Sequence, residues 1–310
     1  NNGALFISGN PLLNTVAGVA AIDPSTITSI TITDNSSLSV CHLGNICAFL
    51  DLQGKSRKIS GNKEDCLNLD AVIAACSVPP AECPTGNLLF VTQTDITDFG
   101  LDFGHCKDLP GNVTISGTKI EDLSGLSHVE SIGGNLIIDE TYLENLSGLG
   151  KLKSVGGFFR MFKNYYLEDF TGAGSLETGG EYLSLQNNGD LVSTKGMSAL
   201  KKIGGSFMVL SNSNLTKVDG FSVLAEIGGA LSIESNTQLA EIGGLAALKK
   251  LGQKIDLRNN GLLNLDGLSG LEEFNGGEIN LSGNKALESI EGLKNIPATK
   301  ITLLTIRDNQ

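Results

Sequence analysis

The stretch Leu231-Ser-Ile-Glu-Ser-Asn236-Thr-Gln-Leu239 decides the fold of this chain, because its pattern returns every 24 residues along most of the second half. Two apolar residues enclose one variable residue, an asparagine follows three positions later, and the next apolar residue stands three positions beyond it. Asparagine occupies this position at Asn10, Asn35, Asn164, Asn188, Asn212, Asn236, Asn260, Asn284 and Asn309. A fixed period between about 20 and 50 residues is typical of a protein built from stacked repeats.

The apolar-variable-apolar triplet predicts a short strand whose outer two side chains point inward and whose middle side chain points outward. Strands of successive turns, about 4.8 Å apart, form a parallel sheet, and their inward residues form a continuous core. A buried asparagine amide both donates and accepts, so a column of these side chains can satisfy the backbone where each turn bends. Glycine pairs such as Gly228-Gly229 and Gly243-Gly244 are expected at tight or positive-φ corners. The pattern therefore predicts a mainly β solenoid.

The repeat pattern divides the chain into four segments. Residues 1–40 form the last turns of one solenoid, and residues 41–77, with helices expected near 44–52 and 67–76, form its C-terminal cap. Residues 78–110 comprise a proline-rich linker and the N-terminal cap of a second solenoid. That solenoid occupies residues 111–310 with about eight turns and a partial ninth, and it lacks a C-terminal cap. In its first two turns, Thr118 and Thr141 replace the asparagine.

All six cysteines lie between positions 41 and 106, and none has the C-x-x-C spacing of a metal site. Disulfides formed in an oxidising compartment are therefore favoured. The last two cysteines belong to one cap and pair with each other. The first four allow three pairings, and we prefer the one that joins the two cysteines after strands and the two on helices. The predicted disulfides are Cys41–Cys66, Cys47–Cys76 and Cys83–Cys106.

Composition and charge narrow the class of partner. The net charge is −12, and the sequence has no long run of basic residues, which argues against binding of nucleic acid or anionic membranes. No stretch reaches the roughly 18 apolar residues of a membrane span. The apolar content of 40% is ordinary, and the 39 glycines with only 7 prolines suit many tight corners better than disorder.

The turns of the form Ile-Gly-Gly-x-Leu-x-Ile, followed by Asn and Leu, resemble leucine-rich repeats of the receptor L-domain type. The two cap sequences, which begin Cys41-His-Leu-Gly-Asn-Ile-Cys47 and Cys83-Pro-Thr-Gly, are similar to those of secreted, multi-module cell-surface proteins of bacteria. The resemblance covers essentially the whole chain. It implies a right-handed, L-domain-like β-solenoid with turns of about 24 residues at the cell surface, and it implies no particular ligand.

The sequence shows few signs of catalysis. The three histidines, His42, His105 and His128, lie in unrelated contexts, and no nucleophile elbow, P-loop or H-E-x-x-H motif is present. A β-helix enzyme acting on carbohydrate is the enzymatic alternative, and it would need carboxylates stacked at outward strand positions. Those positions carry Thr114, Ile137, Arg160, Ser184, Met208, Ser232, Asp256 and Asn280. One aspartate is not a catalytic pair, so we expect no enzymatic activity, no cofactor and no metal.

Aromatic residues concentrate within residues 142–182, which contain all four tyrosines and four of the twelve phenylalanines. The repeat frame sends Phe159 and Met161 inward and leaves the Phe-x-Arg-x-Phe side chains of 158–162 outward. Such a surface suits a protein contact or a sugar-stacking platform. The alternative is that bulky side chains fill an irregular turn. The candidate ligand-binding residues are Phe158, Arg160, Phe162, Tyr165, Tyr166, Tyr182 and Met208.

These features predict a non-enzymatic extracellular repeat protein that serves adhesion or ligand binding, with another protein or a glycan at the cell surface as its partner. The alternative is a structural spacer or filament subunit built from stacked modules. In the sequence, nothing covers the apolar strands of the first and last turns, which hold Leu5, Ile7, Leu304 and Ile306. We therefore expect either that the natural protein continues beyond both ends or that copies associate end to end.

Overall fold

The structure is a computed structural model that describes residues 3–20, 22–78 and 81–309. It is mainly β, with three parallel sheets and few helices, as the sequence predicts. Contacts between Cα atoms divide the chain into two compact units. The first comprises Asn1–Glu82 and Asp98–His105, and the second comprises Cys83–Thr97 and Cys106–Gln310.

The first unit contains a three-stranded parallel sheet followed by helices. Apolar residues of its central strand and first helix, among them Ile30, Ile32 and Phe49, are fully buried and form the core. The strands are Gly3–Ser8, Ile27–Thr33 and Ser56–Ser60. The α-helices are Gly44–Asp51 and Leu69–Cys76, and the 3-10 helices are Ala17–Val19, Pro24–Thr26 and Glu64–Cys66.

Three disulfides lie in the segments that the sequence predicts as caps, and the second of them joins the two α-helices of the first unit. They join Cys41 to Cys66, Cys47 to Cys76 and Cys83 to Cys106, which are the three pairs that the cysteine positions predict. Their Cα atoms lie 5.1, 5.5 and 5.6 Å apart, within the usual range for a disulfide.

The second unit is built on a sheet of ten parallel strands, here called the long-strand sheet. Its neighbouring strands pair in register, so that Phe207 lies beside Leu231 and Met208 beside Ser232, each 24 residues further along. The strands are Leu88–Phe90, Val113–Ser116, Leu136–Asp139, Phe159–Phe162, Leu183–Gln186, Phe207–Leu210, Leu231–Glu234, Ile255–Arg258, Gly277–Asn280 and Ile301–Thr305. Inward residues such as Leu231 and Ile233 are fully buried, so the apolar-variable-apolar pattern fills the core.

A second parallel sheet of eight two-residue strands, here called the short-strand sheet, accompanies the first. Its strands are Asp108–Leu109, Ser131–Ile132, Ser154–Val155, Thr178–Gly179, Lys202–Ile203, Glu226–Ile227, Lys250–Leu251 and Glu273–Phe274. Helix Gln93–Asp102 precedes it. The second unit also contains the 3-10 helices Ser124–Leu126, Gly243–Leu245, Asp266–Leu268, Glu291–Leu293 and Ala298–Lys300.

The recurrent asparagines form a hydrogen-bonded column at the end of the long strands. The backbone N–H of Asn212 donates to Oδ1 of Asn236 at 2.9 Å, and its Nδ2 donates to the Leu185 carbonyl at 3.0 Å. The same two bonds recur at each asparagine from Asn164 to Asn284. Each side chain therefore satisfies backbone groups of the preceding turns while its oxygen accepts from the asparagine before it.

The column differs from the sequence prediction at Thr118, Asn10 and Asn62, and agrees with it at Thr141. Thr141 is fully buried and donates its hydroxyl to Asn164 Oδ1 at 2.7 Å, as a substitute for asparagine should, whereas Thr118 is exposed. Asn10 is also exposed, although its N–H donates to Asn35 Oδ1 at 3.0 Å. Asn62 continues this first column, because its Oδ1 accepts from the Asn35 N–H at 3.0 Å.

The residue immediately before each column asparagine, and before Thr141, adopts a left-handed backbone conformation. These residues are Gly9, Asp34, Gly61, Glu140, Lys163, Asn187, Ser211, Ser235, Asn259, Gly283 and Asp308, with φ between 55° and 78°. Most carry a side chain, which costs about 1 kcal/mol each in this region of φ and ψ. Of the two alternatives predicted for Gly228, Gly229, Gly243 and Gly244, tight corners or positive φ, positive φ is found at none of the four.

The glycines that precede the long strands serve close approach between turns. A Cβ built on Gly180 would overlap the carbonyl oxygen of Gly156, and one built on Gly204 would overlap that of Gly180. The same contact recurs between Gly228 and Gly204 and between Gly252 and Gly228. Backbone of one turn therefore lies directly on backbone of the next, leaving no room for a side chain.

Candidate functional site

The outward face of the long-strand sheet carries the predicted binding residues. Strand pairing aligns its middle positions in one row, namely Thr114, Ile137, Arg160, Ser184, Met208, Ser232, Asp256 and Asn280. Two members are less accessible than the pattern predicts, because Ser184 is 4% exposed and Asp256 is 3% exposed. Ser184 lies between Arg160 and Met208 on the neighbouring strands, and Asp256 pairs with Lys254 and Arg258.

Phe158 and Tyr182 stack on one another at the start of adjacent strands. Their ring centroids lie 4.5 Å apart and the ring planes differ by 5°. The Phe158 N–H donates to Asn135 Oδ1 at 3.0 Å, and the Phe159 N–H donates to the Tyr182 carbonyl at 2.9 Å. These backbone bonds fix the two rings on neighbouring turns, and burial raises the pKa of the Tyr182 hydroxyl.

Arg160 organises the centre of the face. Its guanidinium forms a two-pronged ion pair with Asp139, with Nε–Oδ1 at 3.3 Å and a second bond from an Nη nitrogen. This bond raises the pKa of Arg160. The guanidinium also lies 5.9 Å from the centre of the Phe162 ring, and Lys163 Nζ lies 5.0 Å from it. Both cations are therefore within cation–π distance of the Phe162 ring.

Two hollows flank these side chains. One is lined by Ser116, Asp139, Glu140, Arg160, Phe162 and Gln186. The other contains Tyr182, Ser206 and Met208 over three backbone glycines. Phe158, Arg160, Phe162, Tyr182 and Met208 are here called the aromatic patch. Sequence reasoning missed Asp139 and Gln186. Each is the last residue of its strand and lies two residues beyond the row of middle positions used for prediction.

The remaining tyrosines belong to a different surface. Tyr165 and Tyr166 follow the column asparagine, and each is about half exposed. Tyr166 meets Tyr142 edge to face, with ring centroids 4.8 Å apart. Tyr142 and Tyr166 line a third hollow together with Glu121, Asp122, Glu144, Asn145 and Ser147. Of the seven candidate residues, five therefore form the aromatic patch. Tyr166 instead pairs with Tyr142, and Tyr165 is its neighbour in sequence.

The outward aspartate of the row and the Cys-His-Cys cluster are both engaged by other groups of the chain. Asp256 is held by Arg258 Nε at 2.6 Å and Lys254 Nζ at 3.2 Å, and Arg258 also binds Glu234 at 2.6 Å. Cys83, His105 and Cys106 form the only group of possible metal ligands among the described residues. Both of its sulfur atoms are joined in a disulfide, so neither is free to act as a thiolate ligand.

The short-strand sheet carries alternating charges that neutralise one another. Glu130 lies between Lys107 at 3.1 Å and Lys153 at 2.6 Å on the neighbouring turns. Further pairs are Lys201–Glu177, Lys202–Glu226, Lys249–Glu272 and Lys250–Glu273, at 2.6 to 3.0 Å. This face therefore presents paired charges, and the aromatic patch is the more distinctive surface.

Replacement of Lys153 by methionine is expected to raise the pKa of Glu130. Hydrogen bonds from Lys153 and then Lys107 lower this pKa from 4.5 to about 2. The pairing therefore contributes stability above about pH 4.5 and loses it as the pH falls towards about 2. An NMR titration of the Glu130 carboxyl carbon measures the change. Lys201→Met, which removes the partner of Glu177, should leave the Glu130 titration unchanged; equal shifts in both variants would contradict the assignment.

The fold and the face together define a class, that of mainly β proteins in which stacked parallel strands present one outward face. Within the chain, residues 105–168 match the family model of the receptor L domain. The match includes three residues of the aromatic patch and supports an L-domain-like fold for this part of the chain. A search of curated proteins finds no significant match. Among the described residues, no helix combines the length and apolar character that crossing a membrane requires.

Proposed function

We propose that this chain is a non-enzymatic, extracellular binding protein whose aromatic patch contacts a protein ligand at the cell surface. The stacked turns form a right-handed leucine-rich-repeat solenoid of about 24 residues per turn, which holds the patch on a rigid sheet. The match to the receptor L domain and the three disulfides support an extracellular, ligand-binding role. We also propose that the chain has no catalytic activity, since Asp256 is occupied by two cations.

The choice of a protein over a glycan as the ligand rests on the stack of Phe158 on Tyr182. A sugar binds to an aromatic side chain by lying on a free ring face, but each of these rings already covers one face of the other. Their edges and outer faces, with Arg160 and Met208 beside them, match the composition of protein hot spots, where tyrosine, methionine and arginine are enriched. This arrangement favours a protein ligand over a glycan.

Binding screens against extracellular proteins and a glycan array test the proposal with the full chain immobilised. For any ligand found, Tyr182→Ala and Phe162→Ala are each expected to weaken binding about 10- to 30-fold, because hot-spot truncation costs about 2 kcal/mol. Tyr166→Ala is the matched control, since Tyr166 is exposed but lines the hollow that contains Tyr142 and does not belong to the aromatic patch. Circular dichroism of the three variants checks that each keeps the parent fold.

The outcomes separate the alternatives. Binding that depends on Tyr166 and is insensitive to Tyr182 would place the ligand on the tyrosine pair and overturn the choice of patch. Binding only to glycans would overturn the choice of ligand class. If neither screen yields a ligand and the chain forms long assemblies in electron micrographs, the structural spacer is the better account.

A further inference from the structure

The last turn of the long-strand sheet repeats the first turn of the chain. Residues 277–309 align with residues 3–35 at a constant offset of 274, without a gap, and 13 of the 33 positions are identical. The identities include Ser8-Gly9-Asn10 with Ser282-Gly283-Asn284, and Asp34-Asn35 with Asp308-Asn309.

The backbone follows the same correspondence. The 3-10 helices Ala17–Val19 and Pro24–Thr26 match Glu291–Leu293 and Ala298–Lys300 at the same offset. In both turns the strand pairing slips by one residue after the first pair, between Gly3 and Ala4 and between Gly277 and Glu278. In the second unit, the 3-10 helix Ala298–Lys300 follows the last short strand, Glu273–Phe274, and no further short strand follows among the described residues.

The two turns differ in what covers them. In the first unit, strand Ser56–Ser60 pairs with Ile27–Thr33, and Ile30 and Ile32 are 0% exposed. Their counterparts Leu304 and Ile306 are 43% and 46% exposed. In the second unit, strand Ile301–Thr305 pairs only with Gly277–Asn280 among the described residues. An apolar edge is therefore bare where its counterpart is sealed.

A buried polar atom marks the same difference. Asn35 donates from its backbone N–H and from Nδ2 to Oδ1 of Asn62, at 3.0 and 3.1 Å. Asn309 stands in the place of Asn35, and its Nδ2 is buried without an acceptor among the described residues. An orphaned buried donor costs about 1 to 3 kcal/mol, so this atom points to a missing acceptor.

The segment that covers the first turn has three polar anchors besides its apolar helices. Asn62 Nδ2 donates to the Ile32 carbonyl at 2.9 Å, Asn45 Nδ2 donates to the Val19 carbonyl at 2.8 Å, and Lys55 Nζ donates to the Ile27 carbonyl at 2.8 Å. The equivalent carbonyls of the last turn belong to Leu293, Ile301 and Ile306, at the offset of 274.

We propose that the outer edge of strand Ile301–Thr305 is a docking surface for a cap of the same construction as residues 36–77. This occupant brings a strand that ends in Gly-Asn, whose amide oxygen accepts from Asn309, and disulfide-tied helices that cover Leu304 and Ile306. A cap fits better than the first turn of a second copy, because the short-strand pattern has already stopped at Glu273–Phe274 and a further stacked turn would leave it broken.

The test appends a second copy of residues 36–77 to the full chain, directly after Asn309. Amide hydrogen exchange in residues 301–309 is expected to slow at least 10-fold relative to the parent chain, and mass spectrometry should find two additional disulfides in the same pairing. In the control, the asparagine equivalent to Asn62 is changed to alanine in the appended copy alone. The control should lose most of the added protection at residues 305–309 while keeping both disulfides.

Two results would overturn the proposal. One is unchanged exchange in residues 301–309, or failure of the appended disulfides to form in the expected pairs. The other is concentration-dependent assembly of the parent chain in sedimentation, accompanied by the same protection of residues 301–309, which would make a second copy the occupant.

Discussion

Replacement of Asn212 by alanine is expected to lower the free energy of unfolding by about 3 to 5 kcal/mol. The Asn212 side-chain oxygen accepts from the backbone N–H of Asn188 at 3.0 Å and from Asn188 Nδ2 at 3.2 Å. Asn212 Nδ2 donates to the Leu185 carbonyl. Alanine leaves the Asn188 N–H and the Leu185 carbonyl buried without these partners, at about 1 to 3 kcal/mol for each unsatisfied group, while Asn188 Nδ2 keeps its bond to the Met161 carbonyl. Denaturant unfolding measures the loss.

Asn214→Ala supplies the matched control, because Asn214 lies two positions away on the exposed side of the same corner. This substitution is expected to change the free energy of unfolding by less than about 0.5 kcal/mol. If Asn212→Ala were as mild as Asn214→Ala, water would have to replace the column bonds, and the column would not be the main support of the corner.

Replacement of Gly180 by alanine should destabilise the protein by about 3 kcal/mol, whereas replacement of its neighbour Gly179 should not. A Cβ on Gly180 would overlap the carbonyl oxygen of Gly156, which is backbone and cannot move aside cheaply. A Cβ on Gly179 would meet nothing within 4 Å, and the φ of Gly179 is not positive. Alanine there should be neutral or stabilise by about 0.5 kcal/mol through the unfolded chain.

Thermal or denaturant unfolding of the two variants gives the comparison directly. The pair is informative because the substitutions are chemically identical and adjacent, so differences in helix or strand propensity largely cancel. Equal destabilisation by both would mean that strand disruption, and not contact between turns, sets the requirement for glycine.

Much of the second unit could be predicted because its repeat is regular. The fixed spacing of the asparagines determines which residues are neighbours across turns, so the row containing Arg160, Ser184 and Met208 follows from counting. The disulfides were also accessible from sequence, since the order of strands and helices restricts which cysteines meet. Whether the four predicted segments are independent domains stays a prediction.

Other features escaped the sequence because no spacing encodes them. Asn62 lies 27 residues after Asn35, beyond a helix, so the count that identifies the other asparagines does not reach it. The left-handed corner is filled by residues as different as Glu140, Lys163 and Ser211, which share a backbone conformation but no chemistry. Such positions are defined by what the asparagine side chain requires of the preceding peptide.

The candidate site was predicted only in part for a related reason. The strand pattern places Phe158, Arg160 and Phe162 correctly on the outward face, because alternation is strict within a strand. At the corner the alternation ends, so Tyr166 lines a different hollow although it is close in sequence to the patch. Asp139 was missed because its ion pair with Arg160 crosses between turns and between rows.

The column of asparagines also governs how such an array can change in length. From Asn164 to Asn260 each asparagine donates to the next one through the same pair of atoms, so the junctions between turns are chemically interchangeable. Gene duplication or loss of one whole turn would leave every remaining junction intact. Insertion of a few residues would keep the junction only where a segment outside the strand and corner takes up the extra length, as in the spacings of 25 residues before Asn309 and 27 before Asn62. Lineages carrying this fold should therefore vary in steps of one period, with point insertions confined to exposed loops.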